Sequence, residues 1–400
     1  MQNLPVLEGG EPVRSNLLSY SQQWLEDDDI KAVVEILRGD LITTGPKVKE
    51  FEEKFANYVG CKYAVAVANG TAALHAAVFA AGIGPGDEVI TTPITFAASA
   101  NCVLYQGGKV IFADIKNQDW NIDPEEVVKK ITPRTKAIIP VHFTGLPVDL
   151  ERIRQIAKKY NLVVIEDAAH ALGATYRGGR IGAQGDLTIF SFHPVKHITT
   201  GEGGMITTND ENQYQKLLAF RTHGITRNKK ELLQDDGLWY YEMQALGFNY
   251  RLTDFQAALG ISQLNKSDRF LQLRKEIAGN YDKMFSELEE LELSYRHPDR
   301  ESAWHLYIIR LNENRLKVGR KQIFDALRAE NIGVNVHYLP VYLHPYYRAL
   351  GYEAGLCPKA ESLYSNMITL PLFPKMTPED VVDVVTAVKK VISYYTKDGL

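Results

Sequence analysis

From about residue 47 the chain alternates short apolar runs with segments whose apolar residues recur at helical spacing, the pattern of an α/β sheet covered on both faces. The runs are mostly rich in β-branched residues and predict strands at Tyr63–Val67, Glu88–Thr92, Val110–Ala113, Ala137–Val141, Leu162–Ile165, Leu187–Phe192 and Met205–Thr208. Between them the periodicity predicts helices at Val48–Tyr58, Ala72–Ala81, Ala97–Tyr105, Pro124–Ile131 and Leu150–Tyr160, several punctuated by Gly or Pro. One continuous sheet with its loops gathered at one edge follows, and in such sheets ligands bind beyond the carboxyl ends of strands. A long helical pattern, Asp254–Leu288, begins with Thr253 or Asp254 available as N-cap and reads as a bridge between domains. Beyond it, a strand at His305–Leu311, a helix at Arg320–Glu330, a strand at Val334–Tyr338 and a final helix at Pro378–Tyr394 describe a small α/β domain. The expected division is 1–265, a large domain with an N-terminal arm, and 266–400, a small domain that includes the linking helix.

Size and charge narrow the function. The 400 residues are 45% hydrophobic and 24% charged, enough for more than one core. A formal net charge of −4 gives no electrostatic case for nucleic acid or an anionic membrane as partner. Cys61, Cys102 and Cys357 are far apart and form no metal-ligand spacing, so reduced thiols and no metal are expected. The start lacks a basic segment followed by an apolar core, and no run approaches bilayer length, so a cytoplasmic location is expected.

The candidate chemistry lies at strand ends. Lys196 stands in Ser191-Phe192-His193-Pro194-Val195-Lys196, after a strand-like run and before Gly201-Glu202-Gly203-Gly204. Another run ends in Glu166-Asp167, followed by Ala168-Ala169-His170. A lysine and an aspartate so placed suit pyridoxal phosphate, which needs a primary amine for its aldehyde and a carboxylate to keep its pyridine nitrogen protonated. Asn69-Gly70-Thr71-Ala72 opens a helix after a strand, where unpaired N–H groups and the helix dipole suit a phosphate. Alone it reads more readily as an ordinary strand-to-helix turn capped by Thr71. Ser191 could add a hydroxyl donor there or simply end a strand. Phe96 could stack on a flat ring, although an aromatic at such a place is more often core. His170 could meet the cofactor's phenolic oxygen, and Asp167 close by favours that over a merely structural histidine. What separates Lys196 from an ordinary surface lysine is the ordered series: phosphate-type turn, aromatic, Asp-x-x-His, then Ser-Phe-x-x-x-Lys before Gly-Glu-Gly-Gly.

These motifs resemble those of the DegT/DnrJ/StrS nucleotide-sugar aminotransferases, and the resemblance covers nearly the whole chain. It implies the fold of type I pyridoxal phosphate-dependent transferases, like aspartate aminotransferase. It implies phosphate binding by Gly70, Thr71, Ala72 and Ser191, ring stacking by Phe96, a pyridine-nitrogen partner in Asp167, a ring-hydroxyl partner in His170, and the cofactor-holding lysine in Lys196. Asn249, in Asn-Tyr-Arg-Leu-Thr-Asp, matches an asparagine that reaches the neighbouring subunit's phosphate, which implies a homodimer. The stretch from Val336 to Tyr347, with His337, Tyr338 and His344, resembles the segment bordering the sugar-nucleotide site; packing of the small domain is its other reading. Arg251 is a candidate for glutamate's carboxylates, or for a surface salt bridge.

Within the group, Ser-Phe-His-Pro-Val-Lys-His-Ile-Thr-Thr-Gly-Glu-Gly-Gly is most similar to the enzymes of pseudaminic acid synthesis. That implies transfer of an amino group from L-glutamate to the C4 ketone of a UDP-linked 4-keto-6-deoxy-N-acetylhexosamine, with pyridoxamine phosphate formed between the half-reactions. Other 3- or 4-keto nucleotide sugars remain open as acceptors. The deoxygenating branch has histidine where this chain has Lys196. A non-catalytic, cofactor-binding regulator is the rival from a different class, but such proteins usually add a DNA-binding domain, for which this chain has neither length nor a basic segment.

Overall fold

The computed structural model describes residues 4–234 and 236–397. Seven strands form one mixed sheet: β1 (Tyr63–Val67), β2 (Glu88–Thr91), β3 (Lys109–Phe112), β4 (Thr135–Ile139), β5 (Val163–Asp167), β6 (Leu187–Ser191) and β7 (Gly204–Thr208). Their order is β1-β7-β6-β5-β4-β2-β3, and β7 runs against both of its neighbours while the other pairs are parallel. Each expected strand is present within a few residues. The sheet is buried on both sides because alternate side chains feed separate cores. Val65, Val67, Ile189 and Ile206 join one core, while Ala64, Ala66, Phe190 and Met205 join the other.

Helices α1 (Asp27–Leu37), α2 (Pro46–Val59), α3 (Gly70–Ala80), α4 (Ala98–Tyr105), α5 (Pro124–Lys130), α6 (Leu150–Tyr160) and α7 (Glu211–Phe220) accompany the sheet. The first and last of these carry no run that the periodicity picked out. The segment expected as one helix from Asp254 is two, α8 (Asp254–Leu264) and α9 (Ser267–Phe285). Thr253 caps α8 in a reciprocal pair with Gln256. The break falls at Asn265-Lys266, where the Lys266 ammonium is drawn to Asp28 at 2.6 Å and Asp29 at 2.8 Å on α1.

After α9, strands β8 (Leu291–Leu293), β9 (Tyr307–Leu311) and β10 (Met367–Leu370) form a second, antiparallel sheet in that order. It packs with α10 (Arg320–Ala329) and α13 (Pro378–Tyr395) around a third core that includes Ile309, Ile323, Leu327, Val384 and Val388. Two short helices, α11 (Pro345–Ala349) and α12 (Pro358–Asn366), lie between. Val334–Tyr338, expected as a strand, contributes one isolated bridge, Asn335 to Thr369, before the chain turns toward the large sheet; Met367–Leu370 takes the strand position instead. The N-terminal arm is held by Glu330, a buried carboxylate that accepts from Val6 N and Val13 N and pairs with Lys390.

Candidate active site

The carboxyl ends of β1, β5 and β6 open onto a cavity of about 490 Å³. At the end of β1, Asn69 caps α3, its side chain accepting from Ala72 N at 2.8 Å. The cap is therefore Asn69, not Thr71, because the helix begins at Gly70, two residues earlier than its apolar pattern does. Ala72 spends its N–H on that cap and does not line the cavity, whereas Gly70 and Thr71, at the helix start, do. Gly70 lies so close to β6 that a Cβ there would come within 2.9 Å of Ser191 Cβ, which brings the helix start and the serine together. Three polar groups and a helix N-terminus thus converge at this end.

Asp167 ends β5 and is 4% exposed. Its Oδ2 accepts from Ser99 Oγ at 2.6 Å and its Oδ1 from Ala169 N at 3.1 Å. Lys196 stands in the loop joining β6 to β7, and its Nζ lies 3.3 Å from His305 Nε2. Burial lowers its pKa to about 8, helped by the charge of Arg274 and opposed by Asp167. Arg274 is itself buried, anchored to the carbonyls of Trp304 and Leu372, and burial brings its own pKa down to about 9.

Two more histidines complete the wall. His170 Nε2 meets Tyr338 OH at 3.2 Å, and its ring centroid is 4.2 Å from that of His305. Both rings are held neutral by burial first and by the Lys196 charge second. Their Nδ1 atoms are buried without a partner among the described residues. His337 bonds Thr369 Oγ1 at 2.9 Å and burial lowers its pKa to about 4, while burial pushes the Tyr338 hydroxyl up. Phe96 sits at the rim, 62% exposed despite its size, with its ring 6.3 Å from that of Tyr338. An amine of lowered pKa, a carboxylate, an uncovered aromatic face and a helix start with a serine, all around one cavity, fit pyridoxal phosphate.

Gly70, Thr71, Phe96, Asp167, His170, Ser191, Lys196, His337 and Tyr338 are brought together; Ala72, Asn249, Arg251 and His344 are not. Asn249 bridges Thr222 outside the cavity. Arg251 is half-buried and has no ion pair among the described residues. His344 precedes α11 and lines a separate hollow with Tyr105 and Tyr346. Three contributors escaped the sequence reading: Ser99, His305 and Tyr20. Ser99 lies three residues past Phe96 on the first turn of the helix that follows it, and His305 opens an apolar strand run, but neither placement singles the residue out; Tyr20, in the arm, carried no signal at all.

This sheet order, with a partly buried lysine and a buried aspartate at the strand ends, defines a type I pyridoxal phosphate-dependent transferase. More narrowly, the chain belongs to the DegT/DnrJ/EryC1/StrS aminotransferase family, whose model matches residues 23–389. It is a pyridoxal phosphate-dependent sugar aminotransferase. A spore coat polysaccharide biosynthesis protein of Bacillus subtilis, SpsC, is 42% identical over 381 residues, 95% of this chain and 98% of its own. Among solved structures, Helicobacter pylori PseC, an aminotransferase of pseudaminic acid biosynthesis, superposes with a TM-score of 0.88 at 34% identity, covering 95% of this chain and all of its own. A sugar aminotransferase candidate of Streptococcus pneumoniae, solved in a PLP-form, gives a TM-score of 0.88 at 33% identity over 94% of this chain and 99% of its own.

Proposed function

We propose that the enzyme moves the amino group of L-glutamate to the C4 ketone of a UDP-4-keto-6-deoxy-N-acetylhexosamine, the reaction of the pseudaminic acid pathway. The observation that carries the reading is the convergence of Lys196 and Asp167 on one cavity. Gly70, Thr71 and Ser191 would receive the cofactor's phosphate, Phe96 its ring face, Asp167 its pyridine N–H and His170 its ring hydroxyl. When bound, pyridoxal phosphate supplies a sink for the electron pair left by a broken C–H bond. Lys196, with an amine that sheds its proton near pH 8, is the base that takes the proton from the amino acid's α-carbon and, in the second half-reaction, returns one to the sugar carbon. His337 and Tyr338 border the room left for the sugar, whereas His344 and Arg251 lie outside this cavity and are given no part in it.

We further propose a homodimer in which Asn249, outside its own cavity, completes the partner's phosphate site. Residues 1–265 and 266–400 act as its two domains. Among the described residues no helix is long and apolar enough to cross a membrane; a cytoplasmic location is part of the proposal, since a nucleotide sugar is a soluble substrate. Similarity to SpsC favours a second reading, amination of another 3- or 4-keto nucleotide sugar.

Purified protein given pyridoxal phosphate should develop a visible absorption band that L-glutamate bleaches, and the bleached enzyme should recover the band with the UDP-4-keto sugar. Bleaching without recovery on that sugar, but recovery on another, would transfer the proposal to the second reading. A band that ignores glutamate would remove the donor assignment.

A further inference from the structure

The site holds two buried hydroxyls that the reaction as described does not use. Ser99 is 1% exposed and Thr95 is 3% exposed, and their oxygens lie 2.7 Å apart. Either hydroxyl could donate in that pair, but the neighbours decide. A carboxylate only accepts. At 2.6 Å from Asp167 Oδ2, the Ser99 proton belongs to that contact, and the longer 3.3 Å approach of Ser99 Oγ to Phe96 O is the weaker alternative. With its one proton committed, Ser99 Oγ accepts from Thr95 Oγ1. The protons therefore run one way, from Thr95 to Ser99 to Asp167.

The two hydroxyls flank Phe96 in sequence. Thr95 precedes it, Ser99 follows on the first turn of α4, and Ser99 N closes that turn on Phe96 O at 3.2 Å. The relay thus ties the turn that presents Phe96 to the carboxylate at the end of β5. We propose that Thr95 and Ser99 are positioning residues that fix the Asp167 carboxylate relative to the Phe96 ring, so that the edge and the face of the cofactor ring are gripped in one constant geometry. This rests on the reading of the cavity as a pyridoxal phosphate site.

Three variants test it by equilibrium binding of pyridoxal phosphate and by the visible circular dichroism of the bound cofactor, which reports how the ring is held. Ser99→Ala should weaken cofactor binding about tenfold, the order expected of one hydrogen bond to a charged group, and reduce the dichroic band relative to absorption. Thr95→Val keeps shape but removes the outer hydroxyl, and should give a smaller change in the same direction. Thr95→Ser restores the hydroxyl and should restore the native signal. Thermal melting of each variant separates a general loss of packing, which would lower Tm without changing the dichroism of the loaded fraction. Native affinity and dichroism in both Ser99→Ala and Thr95→Val would overturn the relay alone. Failure of the unmutated protein to bind pyridoxal phosphate would overturn the reading of the cavity, and the relay with it.

Discussion

Lys196 gives up its proton more readily than an exposed lysine because burial strips water from the charged form, which brings its pKa down from 10.5 to about 8. The neutral amine is the form that reacts with an aldehyde. Cofactor capture by the apo protein should therefore quicken as pH rises and level off just above pH 8. Stopped-flow growth of the visible band across pH measures this, and a rate still climbing near pH 10 would contradict it. Lys196 and Asp167 were legible because each carries its context in the adjoining residues: a strand run before it and a glycine-rich or Ala-Ala-His segment after it. Ser99 and His305 were not, since Ser99 lies 68 positions from Asp167 and His305 lies 109 from Lys196. Their importance arises only when the sheet brings distant segments together. Arg274 differs, because four residues from Phe270 and three from Ile277 it falls on the buried face of α9, where its guanidinium is enclosed.

Among the elements, α3 shows how a cap and a close approach build a binding end. Asn69 satisfies one of the first-turn N–H groups, so Asn69→Ala should cost about 1 kcal/mol of stability and weaken cofactor affinity as the first turn frays. Chemical denaturation and a binding titration report the two effects, and a loss of stability without loss of affinity would show that the first turn does not meet the phosphate. The α8–α9 break is a second case. Helical periodicity runs through Asn265 and Lys266 without interruption, so no local signal marks the stop; the cause is the acidic start of α1, far away in sequence. Lys266→Met would leave Asp29, 1% exposed, with its cation gone, and should destabilise the protein by about 3 kcal/mol. Unchanged denaturation would mean the charge is met by another group. The strands of the large sheet were legible because burial on both faces demands continuous apolar runs. The strands β8 and β10 were not: β8 is only three residues long, and β10 follows directly on α12 with no break between them.

At the scale of the whole molecule, the site is assembled from the large sheet, from segments of the small domain and from the arm: Tyr20, His305, His337 and Tyr338 reach it from outside the seven-stranded sheet. The proposed dimer adds one more contributor, and complementation can test it. Lys196→Ala and Asn249→Ala should each be inactive alone, whereas a mixture allowed to exchange subunits should regain part of the activity, because one cavity of each mixed dimer then holds both native residues. No recovery, with exchange verified, would place Asn249 in its own subunit's function or in none. The reversal of β7 has a consequence for repeated turnover. Because β6 and β7 run in opposite directions with Ser191 opposite Gly204, the loop carrying Lys196 leaves and re-enters the sheet at the same edge. A tether with both feet on adjacent strands allows the lysine to swing but not to wander, so the enzyme begins every cycle from the same starting position.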